Sequence, residues 1–160
     1  MSSALEEAVS LIASQSPLLS AEGLNKLNQL TFNAPHMKVY AGQIGAIAAI
    51  VDAMNRSQEN GSIQEDGCRT LRTVAFHCEA NLNLVQHQGA IDAVATALRL
   101  HGANEAVVAE GFWALVVFCA NHLGNTLVAK GLVNVSEVMA AHATNAEIQK
   151  KGTFLNVIFA

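Results

Sequence analysis

The side chains that could do chemistry here are six histidines, three cysteines and two adjacent carboxylate pairs. A metalloprotease-type site needs two histidines one helical turn apart, as in HExxH, so that both imidazoles reach one metal. His36, His77, His87, His101, His122 and His142 form no such pair, and His77 beside Cys78 is not a ligand spacing by itself. Cys68, Cys78 and Cys119 are odd in number and lack a CxxC unit, which reads as reduced, buried thiols. Cys68 and Cys119 fall beside core positions of predicted helices, where a structural thiol is expected rather than a nucleophile. A phosphate cradle needs a glycine-rich loop between a strand and a helix, and Gly42-Gln43-Ile44-Gly45 is too short and follows no strand. Glu6-Glu7 and Glu65-Asp66 are neighbours in sequence, so they point to different sides of a helix and read as solvated charge. The expectation is a chain that is not an enzyme and takes no cofactor and no metal.

Composition narrows the classes further. With 160 residues, 51% of them hydrophobic, the chain is one domain's worth of protein able to fill a core. Only 14% are charged, an apolar excess that suggests faces meant to be covered. A net charge of −4 speaks against nucleic acid and against anionic membrane surfaces. The longest apolar stretches, such as Phe112 to Ala120, fall far short of the ~20 residues of a membrane span. The N-terminus has no basic segment ahead of an apolar one, so no signal peptide is expected. The cytoplasm is the expected compartment, with the nucleus open to a chain of this size by diffusion.

The elements that must position these residues repeat. Gly23, Gly67, Gly111 and Gly152 follow one another at intervals of 44, 44 and 41 residues, each inside a helical pattern where glycine is costly. Seven residues before them stand the N-cap types Ser16, Asn60, Asn104 and Asn145. Leu27, Leu71 and Leu115 stand four residues after the first three glycines, with Asn156 after the last. A second segment also recurs. Gly42 to Val51 aligns with Gly89 to Leu98 and with Gly131 to Met139, at separations of 47 and 42 residues. The longer first interval is assigned to extra polar residues in Asn55 to Ser62, and the three leading glycines to sharp bends at φ > 0. Short amphipathic pieces, Met37–Ala41, Asn83–Gln88 and Asn125–Lys130, precede them. Pro17 and Pro35 fit first helical positions. Each unit thus reads as a short, a medium and a long helix, a period that marks stacked repeats.

Ala109-Glu110-Gly111-Phe112-Trp113-Ala114-Leu115 and Gln64-Glu65-Asp66-Gly67-Cys68-Arg69-Thr70-Leu71 resemble the third helix of the armadillo repeat family, and the Gly-x-Ile-x-Ala runs resemble its first bend and second helix. The resemblance runs from about residue 16 to the end, with Leu5 to Ala13 expected to supply the second helix of an incomplete first unit. It implies an all-α fold, a right-handed α-solenoid of armadillo-type three-helix repeats, about three and a half of them. The single domain spans 1–160, with units near 1–31, 32–78, 79–120 and 121–160.

On the long helix, Val107, Gly111, Leu115, Phe118 and His122 share one arc, which is the expected core stripe. The opposite arc carries Glu110, Trp113 and Val117. Its counterparts are Glu22, Asn25 and Gln29, then Asp66, Arg69 and Thr73, then Lys151, Phe154 and Ile158. In the family this arc lines a groove for extended peptides. The resemblance therefore implies a protein-interaction scaffold or adaptor whose partner is another protein or a peptide segment. Nuclear-import adaptors of this family place an Asn four residues after a groove Trp. Here Val117 stands after Trp113, so that particular function does not follow. Two alternatives stand beside the scaffold: a regulatory or targeting module of a larger enzyme, and a self-assembly module. Phe154, Val157, Ile158 and Phe159 cover most of the last helix with apolar side chains. A weak homodimer through that helix, or a longer array, is the expected way of covering them.

Overall fold

The computed structural model describes residues 3–160. Among them the protein is all-α, with eleven helices and no strand: α1 (Ala4–Ile12), α2 (Pro17–Thr31), α3 (Pro35–Gln43), α4 (Ala46–Arg56), α5 (Gly61–Ala75), α6 (Glu79–His87), α7 (Ala90–Leu100), α8 (Glu105–Cys119), α9 (Leu123–Leu132), α10 (Val135–Ala140) and α11 (Ala146–Phe159). Helices of 9, 11 and 15 residues recur in that order as α3–α4–α5 and α6–α7–α8. No single helix is long and apolar enough to cross a membrane.

Each long helix starts at the residue its sequence marks. The side chains of Ser16, Asn60, Asn104 and Asn145 accept hydrogen bonds from Leu19, Ile63, Val107 and Ile148 N–H, three positions on. One orphan donor of each helix start is satisfied this way. The long-helix ends follow an equally regular rule that the sequence reading lacked. Phe32, Phe76 and Ala120 leave the helix with ψ of 124°, 120° and 120°. The next residues, Asn33, His77 and Asn121, take φ of 52°, 52° and 62°. The chain is thereby turned into the next short helix at intervals of 44 residues. Asparagine tolerates this left-handed region better than most residues.

That turn corrects the core stripe at His122. The helix stops at Cys119, and His122 instead caps α9, its Nδ1 accepting from Asn125 N–H at 3.1 Å. Its Nε2–H then donates to Asn83 Oδ1 at 2.9 Å.

The bends are also corrected. Gly45, at φ 90°, and Gly89, at φ 81°, cap α4 and α7 at their N-termini, while Gly42 is a buried residue of α3 and Gly131 lies inside α9. Gly45 and Gly89 are 44 residues apart, so the insertion assigned to Asn55–Ser62 does not exist. The short interval before Gly152 arises instead at α10, which has only six residues.

The four repeated glycines are buried where helices approach closely. A Cβ on Gly67 would lie 2.6 Å from Met54 Cγ of α4, and one on Gly111 would lie 2.8 Å from Leu98 Cδ2 of α7. On Gly152 it would meet Met139 of α10. On Gly23 it would meet the α1 backbone, 2.7 Å from Ala8 O and from Ile12 N. Thus α1 stands to α2 as α4 does to α5. The long helices pack in chain order, α2 on α5, α5 on α8 and α8 on α11, with a continuous apolar core beneath them.

Polar side chains staple the units. Asn81 Nδ2 donates to Lys38 O and Val74 O, both at 2.8 Å, and Asn125 Nδ2 donates to Leu82 O at 3.0 Å and Phe118 O at 2.8 Å. Each joins a long-helix end to the short helix of the preceding unit. At the other edge, Arg56 Nη2 donates to Ile12 O and Ser14 O, His101 Nε2 to Gln58 O, and His142 Nε2 to Gly102 O. Three of the six histidines therefore serve in caps or staples.

Candidate functional site

Side chains two and six positions after each repeated glycine face away from the second helices and form a row across α2, α5, α8 and α11. At the first of these positions, Asn25 and Phe154 are exposed, Arg69 is half-buried, and Trp113 is 41% exposed. At the second, Gln29 is exposed and Val117 and Ile158 are half-buried. Thr73 corrects the expectation. It is buried, and its hydroxyl donates to Arg69 O one turn back. It can wall the row but offers no free polar group to it.

The middle of the row is an ion network. Arg69 reaches Glu65 Oε2 at 2.7 Å and Asp66 Oδ1 at 2.8 Å within α5, and its Nε stands 3.6 Å from Glu110 Oε1 of α8. Glu65 and Asp66 are therefore not independent solvated charges. Positions three and four before the arginine both reach its fork. Arg72 Nη2 donates to the other Glu110 oxygen at 3.2 Å. Burial pushes the Asp66 carboxyl above its ordinary range, against the pull of Arg69. Burial also works against the Arg69 charge, but the Glu65 hydrogen bond and the Glu110 and Asp66 charges hold its proton more tightly than usual.

Trp113 sits between two cations from neighbouring helices. The Arg72 guanidinium carbon is 3.6 Å from its ring centroid and Lys151 Nζ is 4.7 Å from it, with Lys151 also bonded to Glu147. Such contacts favour one placement of a partly exposed aromatic ring. Beside it lies a cavity of about 290 Å³ lined by Phe32, Asn33, Lys38, Arg72, Thr73, Phe76 and Trp113. On the other side of Phe76, a larger hollow of about 470 Å³ is walled by Leu82, Trp113, Val116, Val117 and Ala120 among others.

Sequence reasoning gave the row from Asn25 to Ile158 but not Arg72, Phe32, Phe76 or Lys38. Arg72 was within reach, since it lies three residues after Arg69 on the same helix. Phe32 and Phe76 are the helix-ending residues, 44 apart, 63% and 46% exposed. They could have been found only by recognising where the helix stops.

Cys68 and Cys119 are buried thiols pushed up to about 12 by burial. No group of three His, Cys, Asp or Glu side chains among the described residues is placed to hold a metal ion. No protein-family model, no curated protein and no solved structure matches the chain.

Proposed function

We propose that the chain is an armadillo-type α-solenoid of about three and a half units. In this reading it works as a protein-interaction scaffold or adaptor, holding a partner segment along the row of long helices. The recurrence of helix lengths, caps, left-handed turns and asparagine staples at 44-residue spacing supports the repeat. The observation that carries the functional reading is Trp113. A tryptophan with 41% of its surface in solvent, fixed between Arg72 and Lys151 in mid-row, has the composition and rigidity of a binding hot spot. Phe32, Phe76 and Phe154 extend the apolar surface to both sides. In this reading the row serves recognition. Attached to a catalytic segment, the chain would act as that enzyme's targeting module through the same row.

Affinity capture with the intact chain and with Trp113→Ala tests the reading. Partners held by the row should be lost with the variant, while circular dichroism shows unchanged helix content. Equal recovery of every partner by the two proteins would refute it.

A second reading is favoured by the α9–α11 end, where Leu123, Leu127, Phe154 and Val157 are all exposed. Isolated apolar residues are ordinary on a surface, but this many on adjacent helices favours association with a second copy. Sedimentation across a concentration series tests it, and a constant monomer mass at high micromolar concentration would refute it.

A further inference from the structure

We propose that the cavity between Phe32, Phe76 and Trp113 is an anchor for an acidic peptide. One aromatic or aliphatic side chain of the partner enters it, and a carboxylate next to that side chain meets Lys38 and Arg72. The proposal rests on the reading of the long-helix row as a partner-binding surface and specifies the chemistry of what binds there.

Three observations carry it. First, the only ionic groups in the cavity lining are cations, Lys38 and Arg72. Lys38 is only 6% exposed, yet no carboxylate among the described residues lies within ion-pair distance of it. The Lys38 stem is covered while the ammonium lines the cavity with only the Phe76 carbonyl and ring beside it, so a bound anion would complete an unpaired charge.

Second, donors remain free. Lys38 Nζ gives one hydrogen bond, to Phe76 O at 2.7 Å, and an ammonium has three N–H groups to give. Arg72 is already engaged by Glu110 through Nη2 and stacked on Trp113, so it adds positive charge to the wall while Lys38 supplies the free donors. The free N–H groups of Lys38 line the cavity, where a bound carboxylate can accept from them.

Third, the fold itself does not require these charges. One unit on, 44 residues later, the places of Lys38 and Arg72 are taken by Leu82 and Val116, both lining the neighbouring hollow on the far side of Phe76. The repeat therefore closes without cations at the equivalent site, and the first cavity is charged for a reason other than packing.

The same features choose the occupant. A volume of about 290 Å³ with three aromatic walls suits one large apolar side chain rather than a whole cofactor. It opens beside Trp113, where an extended segment along the row would pass. An inorganic anion would satisfy the cations and leave the aromatic walls bare. A carboxylate paired with an aromatic side chain satisfies both.

Trp113 is the chain's one tryptophan and lies in the cavity wall, so its fluorescence reports occupancy. The probes are capped octapeptides Gly-Ser-Asp-Phe-Asp-Leu-Ser-Gly, its counterpart with Asn for both Asp, and its counterpart with Lys for both. The acidic peptide should bind at least about tenfold more tightly than the Asn peptide, as expected of charge-assisted hydrogen bonds, and the Lys peptide most weakly. Raising the salt concentration should narrow the difference. Lys38→Leu carries the residue type that the next unit holds at that place, so it should stay folded and lose most of the preference. Phe32→Ala, at an exposed helix end, should weaken the acidic peptide without affecting the fold.

Equal affinity of the acidic and Asn peptides overturns the charge assignment and leaves the row as a binding surface. A folded Lys38→Leu protein with its preference intact overturns it as well. Sodium phosphate that displaces the acidic peptide at matching concentration overturns the peptide as occupant. Fluorescence unmoved by all three peptides overturns the anchor, and falls on the proposed function too only if affinity capture finds no Trp113-dependent partner.

Discussion

Gly23→Ala should cost more stability than Gly111→Ala, and Gly131→Ala should add stability. At Gly23 the new methyl would stand 2.7 Å from Ala8 O and from Ile12 N, where ordinary contact begins near 3.4 Å. Helix α1 would have to retreat by roughly 0.7 Å along a face held by Leu5, Ala8 and Ile12. Overpacking of this kind costs about 1–3 kcal/mol. Because the obstacle is backbone rather than a movable side chain, the upper part of that range applies. Alanine returns about 1 kcal/mol through its better helix propensity. The net is a loss of about 2 kcal/mol, or roughly 4–8 °C in Tm at this chain length. At Gly111 the obstacle is Leu98 Cδ2, the end of a flexible side chain, 2.8 Å away. The two effects should nearly cancel there, within about 1 kcal/mol of zero. Gly131 is a helical residue with nothing within 4 Å of its added methyl, so alanine should stabilise by roughly 0.5 kcal/mol. Urea and thermal melts of the three variants test the order. A Gly23→Ala protein as stable as the parent would refute the close approach of α1 and α2.

The remaining predictions follow from packing, staples and thiols. Gly111→Leu adds a branched side chain against Leu98 and Val94 and should destabilise by at least about 1 kcal/mol in the same melts. Asn125→Ala strips the donor from Leu82 O and Phe118 O, and the loss should be at least about 2 kcal/mol with α9 exchanging its amide hydrogens faster than α6. Trp113→Ala should leave helix content intact at a cost of about 1–2 kcal/mol, from the lost cation contacts and the partial packing of a residue 41% exposed, while partner binding falls by about 2 kcal/mol or more. With thiols pushed up to about 12, only about one part in ten thousand of Cys68 or Cys119 is thiolate at pH 8, so their labelling by iodoacetamide should track unfolding in urea.

What the sequence made legible was what is local. A cap such as Asn60 acts three residues away, and the glycine register marks a stripe that any helical projection recovers. The bends were misplaced because glycine tells where φ > 0 is permitted, not where it is used. Gly42 and Gly45 were both available, and only the constant 44-residue spacing to Gly89 picks the second. His122 was carried into the core stripe because the left-handed residue at 121 is an asparagine, which also occurs inside helices. The site was half legible for the same reason. Asn25, Arg69, Trp113 and Phe154 share a position in the repeat, so periodicity groups them. Lys38, Phe32 and Phe76 come from a short helix and two helix ends, and only tertiary packing brings them against Trp113.

The most direct test of the long-helix row as the working surface is site-specific photo-crosslinking in cells. A benzophenone amino acid would be placed singly at Phe32, Phe76, Trp113 and Phe154, and at Asp52 and Asp92, exposed positions on the second helices α4 and α7. Adducts to one common partner from the four row positions, and none from Asp52 or Asp92, are the predicted result. Adducts that form equally at all six positions, or only from α4 and α7, would contradict the assignment of the row.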